Sequence, residues 1–179
     1  MTTALLVIDV QRGLCSGENR PFEAPAVIQR INGVAERVRA AGGPVIFVQH
    51  ESGPGYLEYG TDAWQLADGL RPEPTDLRVR KTTPDSFHGT DLLEILRTTG
   101  VTDLVICGMH TEFCVDTTTR LALAAGYPVV LIADAHTTDD KQHLSAEQII
   151  RHHNETLTNI TSFGPRVRAI PSEAFRIAL

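Results

Sequence analysis

Four stretches of the chain are apolar without alternation: ALLVID (4–9), PVIFVQH (44–50), VTDLVICG (101–108) and PVVLIAD (128–134). Runs of this length, with no polar face, predict strands buried on both sides. Between them the apolar positions change to helical spacing. Val27, Ile28, Ile31, Val34, Ala35 and Val38 mark a helix over 25–41 that Gly42-Gly43 stops. Leu92, Leu93, Ile95 and Leu96 mark a second helix from Thr90 to Thr99, with Gly100 after it. Thr111 to Ala125 reads as a third helix, capped by Thr111 and closed by Gly126. Ser145-x-x-Gln148 is a capping box, with Leu144 and Ile149 placed as a hydrophobic staple, and its helix runs to about Ile160. VRK (79–81) and RVRAI (166–170) read as shorter strands. Residues 51–76, rich in Gly, Pro, Tyr and Trp, form a long excursion of the kind that is often functional.

Strands alternating with helices, and apolar throughout, predict a three-layer α/β/α doubly wound fold with a mostly parallel central sheet. The 179 residues fit one domain spanning 1–179. In such sheets ligands sit beyond the carboxyl ends of the strands, at a topological switch point. The residues to inspect are therefore Asp9, His50, Lys81, the 108–114 loop and Asp134.

Charge and cysteine content narrow the class. A net charge of −6 argues against a nucleic-acid footprint, which needs a basic face. Three cysteines without CxxC spacing suggest neither a disulfide framework nor a structural zinc site. The apolar run near the N-terminus is too short for a signal peptide or a membrane span. The expectation is a cytoplasmic protein with no nucleic-acid or membrane partner.

Cys114 lies in GMHTEFCVDTTTR (108–120), early in the predicted helix. There the free N–H groups and the helix dipole favour a thiolate and could hold an oxyanion. A small buried filler is the alternative, since free cysteine often serves as one. Cys107 reads as core and Cys15 as inert. A thiol needs a base or a cation for activation. Asp9 and Lys81, each at a strand end, can supply them: the acid takes the proton, and the ammonium holds the charges.

These segments resemble the isochorismatase-like cysteine hydrolase superfamily, which includes nicotinamidases, N-carbamoylsarcosine amidases, ureidoacrylate amidases and streptothricin hydrolases. The resemblance rests on ALLVIDVQ (4–11), KTTPDSFHGTDL (81–92), VICGMHTEFCVDTTTRLALAAGY (105–127) and DAHTT (134–138), in that order. It implies a catalytic triad of Asp9, Lys81 and Cys114. It also implies a non-proline cis peptide at Met109–His110, with the His110 and Cys114 amides as oxyanion donors. The implied activity is hydrolysis of a C–N amide bond of a small molecule through a thioester. The alternatives are an isochorismatase-type vinyl-ether hydrolase and a non-catalytic binding protein. The Asp-Trp-His segment with which nicotinamidases bind a metal is missing from VQHESGPGYLEYGTDAW (48–64), and no His follows until His88; this departure disfavours that activity and leads to the expectation of no metal and no cofactor. Gln11, His50, Tyr56, Trp64, Phe87, His110 and Phe113 are candidate pocket walls by loop position. Asp134 and His136 have a structural reading, as groups bonding to loop backbone, and His152-His153 do not face each other on a helix. Members of the superfamily are usually oligomers, so a homodimer or homotetramer is expected.

Overall fold

The computed structural model describes residues 1–17 and 20–177. Among these residues six strands form one sheet: β1 (Thr3–Ile8), β2 (Val45–His50), β3 (Leu77–Lys81), β4 (Asp103–Met109), β5 (Val129–Thr137) and β6 (Val167–Ile170). Their order is β3-β2-β1-β4-β5-β6, and every pairing is parallel. The helices are α1 (Arg12–Cys15), α2 (Ala24–Ala40), α3 (Leu92–Thr98), α4 (Asp116–Ala124) and α5 (Ala146–Thr158). A π turn, Thr111–Val115, leads into α4.

The period of two along each strand divides the core between the faces. Ala4, Leu6 and Ile8 of β1 point into a cluster with Leu92 and Leu96 of α3, Ala122 and Leu123 of α4 and Leu157 of α5. Leu5 and Val7 point the other way, towards Val27, Ile31, Val34 and Val38 of α2. The three layers expected from the apolar pattern are present.

The chain order places the switch point between β1 and β4. From β1 it moves outward to β2 and β3, then returns to the other side of β1 as β4. The ends of β1 and β4 therefore open a crevice between Asp9 and the 109–114 segment. The strands approach closely there. Gly108 has φ 120°, and a Cβ on it would be driven into the Ile8 backbone, so glycine is required.

Several boundaries differ from the sequence reading, with β3 starting at Leu77 and α3 at Leu92 among them. β5 does not end at Asp134 but continues to Thr137, because the pairing with β4 slips at Ile106/Gly108 and resumes as Gly108↔His136 and Met109↔Thr137. The helix after β4 is capped by His110, not by Thr111, which is its first residue. The capping box of α5 is present, with Gln148 N–H donating to Ser145 Oγ at 3.2 Å and Ser145 N–H to Gln148 Oε1 at 2.9 Å. Leu144 nevertheless stays exposed, so the expected staple does not bury it, and α5 stops at Thr158.

The 51–76 excursion has no strand of its own and is bolted down by hydrogen bonds. Arg12 and Gly13 N–H donate to Gln65 and Ala63 C=O, each at 2.9 Å, and Ala67 N–H donates to Val10 C=O at 2.9 Å. Asn32 of α2 bridges Gly69 C=O and Arg71 N–H, and Arg39 grips the Asp76 carboxylate with two donors.

Candidate active site

At the end of β1, Asp9 adopts φ 55°, a left-handed conformation that aspartate tolerates better than most residues. Its N–H stays tied to Val48 C=O at 2.8 Å. This turn leaves the carboxylate buried beside the Lys81 side chain, which is also buried. The ammonium of Lys81 donates to Asp9 Oδ2 at 2.7 Å, to Cys114 Sγ at 3.3 Å and to Thr83 C=O at 3.1 Å, and its Nζ lies 3.3 Å from His50 Nδ1. One lysine head group thus joins the ends of β1, β2 and β3 to the turn after β4. Asp9 Oδ1 is buried and, among the described residues, has no hydrogen-bond partner. An unused carboxylate oxygen is a ready proton acceptor, and it would be costly to leave unmatched were the site purely structural.

The local fold around Cys114 follows from the π turn. His110 C=O accepts from Phe113 N–H at 3.1 Å and from Val115 N–H at 3.3 Å. The Cys114 N–H between them is not among its donors. The Met109–His110 peptide is cis. The His110 ring turns outward and sets Nε2 3.3 Å from Asp139.

The thiol differs from expectation. A helix start was expected to favour the thiolate, yet burial pushes the Cys114 thiol up to about 12, and the Asp9 charge adds to the rise. The Lys81 charge opposes this and is outweighed. Burial thus favours the neutral thiol at rest, beside Asp9. Cys15 and Cys107 are also raised by burial, and Cys15 Sγ rests 3.6 Å from Met109 Sδ.

Of the candidate walls, His50 reaches the cluster through Lys81. Phe113 is exposed beside Cys114, with the Lys141 ammonium 5.7 Å from its ring centroid. Tyr56 is exposed, and Phe87 packs against the core cluster that includes α3 and α4. Gln11 is not a wall. It is fully buried, and its amide is spent on backbone: Nε2 donates to His50 C=O (3.0 Å) and Trp64 C=O (2.9 Å), while Oε1 accepts from His50 N–H (2.9 Å). The Trp64 indole packs edge-on against Tyr59 at 4.9 Å, with its ring N–H buried and, among the described residues, unpaired, so the ring belongs to the excursion's own packing. Among the described residues, no group of three or more His, Cys, Asp or Glu side chains could hold a metal ion. No described helix is long and apolar enough to cross a membrane.

Asp134 is structural, accepting from Ser172 N–H at 2.7 Å and Ser172 Oγ at 2.9 Å. His136 supports the π turn. Asn154 Nδ2 donates to Ala133 C=O at 3.0 Å, which turns Asn154 Oδ1 to His136 Nε2 at 2.9 Å. Nε2 therefore carries the ring proton, and Nδ1 accepts from the Thr111 hydroxyl at 2.9 Å. Burial holds His136 neutral, down to a pKa of about 4. The unfolded chain binds this proton first, near the ordinary value of about 6.5. His136 therefore contributes stability above pH 6.5 that is lost as pH falls towards 4, about 3 kcal/mol in all. Urea midpoints should fall over this range in the wild type, and the fall should be shallower in His136→Gln.

The isochorismatase domain family matches residues 3–162. A streptothricin hydrolase of Streptomyces noursei is 42% identical over 138 residues, covering 76% of this chain and 50% of its own. This chain thus spans about half the length of the streptothricin hydrolases it matches. A ureidoacrylate amidohydrolase of Methylobacterium radiotolerans is 30% identical over 199 residues, covering 90% of this chain and 74% of its own. A crystal structure of an isochorismatase family protein superposes with a TM-score of 0.85 at 39% identity, covering 94% of this chain and 97% of that one.

Proposed function

The chain belongs to the isochorismatase family, and from that premise we propose that it is a cysteine hydrolase cleaving a C–N amide bond of a small molecule. It works without metal or cofactor, as a cytoplasmic homodimer or homotetramer. The observation that carries the reading is the single buried ammonium of Lys81 in contact with both Asp9 and Cys114. Relatives named as a streptothricin hydrolase and an amidohydrolase support the bond type.

Asp9 accepts the thiol proton through Oδ1 as Cys114 Sγ attacks the carbonyl carbon. The carbonyl π electrons move to oxygen, which the His110 and Cys114 amides receive. Lys81 keeps the carboxylate and the developing thiolate paired, so the raised resting thiol is no obstacle: proton transfer accompanies attack. The oxyanion collapses, the C–N bond breaks, and the amine departs with the proton held by Asp9. Water then attacks the thioester, giving its proton to Asp9. The acid product leaves as the thiolate recovers that proton.

A vinyl-ether hydrolase is the alternative on the same fold, and the Lys81–Cys114 contact weighs against it. The test sets an amide panel, including streptothricin and ureidoacrylate, beside isochorismate. The expected result is release of amine or ammonia from at least one amide and no cleavage of isochorismate. Cleavage of isochorismate alone would overturn the reading.

A further inference from the structure

His50 is paired in register with Lys81 across β2 and β3, so the backbone itself sets the two side chains together. Both ends of the His50 residue are clamped by the buried Gln11 amide, and Glu51 N–H donates to Lys81 C=O at 2.8 Å. An ammonium can only donate, so Nδ1 at 3.3 Å faces it as an acceptor, sharing its three protons with Asp9, Thr83 and Cys114, and the ring proton sits on Nε2. Among the described residues Nε2 has no hydrogen-bond partner, and it is not among the buried unpaired atoms. It is a donor that is not fully buried, on a ring whose other nitrogen lies one lysine head group from Cys114.

We propose that His50 is a specificity-determining residue, which turns Nδ1 to the Lys81 ammonium and offers Nε2–H to a substrate acceptor flanking the scissile carbonyl. The substrate class is an amide bearing a second acceptor close to that carbonyl, such as a further carbonyl, a ring nitrogen or a carboxylate. The inference rests on the hydrolase reading. The groups acting on the ring are Lys81, which lowers its pKa, and Asp9, Glu51 and the Thr83 carbonyl, which raise it; the Glu51 carboxylate is already gripped by Arg80 at 2.7 and 3.2 Å. Burial, and then the Lys81 charge, lower the His50 pKa, so the neutral ring persists below the ordinary value of about 6.5.

The test uses pairs of amides differing only in that acceptor, with kcat/KM measured for wild type, His50→Gln and His50→Leu. The wild type should favour the acceptor-bearing member by ~10- to 100-fold, the range for one hydrogen bond left unmade. His50→Gln, which keeps an N–H donor, should retain most of this preference and lose the His50 contribution to the acid limb of the pH profile. His50→Leu should lose the preference. An unchanged preference in His50→Leu would overturn the inference, while loss of turnover in Cys114→Ala in the same series would leave the hydrolase reading standing. A wild type that turns over no amide refutes both. Nitrogen-15 NMR of the free enzyme gives an independent readout: the proton is expected on Nε2, and a proton on Nδ1 would overturn the inference without any substrate.

Discussion

Cys114→Ala is expected to lower kcat for amide cleavage by at least ~10⁴-fold, with the fold intact. Removing the nucleophile of a coupled set costs about as much as removing the whole set, and what remains is binding and oxyanion stabilisation. The side chain is half-buried, and Asp9 and Lys81 keep each other as partners in the variant, so no buried charge is stranded. Circular dichroism and the thermal midpoint should change little. A large fall in stability would mean that Cys114 had been chiefly a packing residue, and undiminished turnover would remove it from the chemistry.

Asp9→Asn should move two readouts in opposite directions. Turnover should fall by ~10²- to 10⁴-fold, because no base remains to take the thiol proton. The thiol itself should become easier to ionise. Burial is the largest reason that its pKa stands at about 12, but the Asp9 charge is the next, and the Lys81 charge pulls it down. Alkylation by iodoacetamide at pH 7.5 should therefore be faster in Asp9→Asn than in the wild type. If alkylation and turnover fell together, Asp9 would instead be holding a resting thiolate in place, and the proton-transfer sequence proposed above would be wrong.

The strands were legible because a parallel sheet covered on both faces must be written in continuous apolar runs, as in ALLVID and VTDLVICG. The positions of Asp9, Lys81 and Cys114 were legible for a related reason: the chain leaves such runs at a few strand ends, and polar residues there face the crevice. What escaped involved side chains serving distant backbone. Thr111 has the composition of a helix cap, yet its hydroxyl is engaged by His136, 25 residues on, so the helix begins one residue earlier in a π turn. β5 looked finished at Asp134 because two polar residues follow the apolar run. It continues because Ser172 satisfies Asp134, while Asn154 and Thr111 satisfy His136. Gln11 resembled a pocket wall because it follows Asp9 closely, but its partners are carbonyls of β2 and of the excursion, and no local pattern encodes them. The thiol was expected to be acidic from its place at a helix start. Burial and the Asp9 charge, both products of tertiary packing, reverse the sign.

The most direct measurement of the central claim is the mass of the Cys114 peptide isolated after acid quench during amide turnover. The account predicts a gain equal to the acyl half of the substrate, lost on further incubation with water. Steady amine release with Cys114 never modified, and equal release by Cys114→Ala, would contradict it.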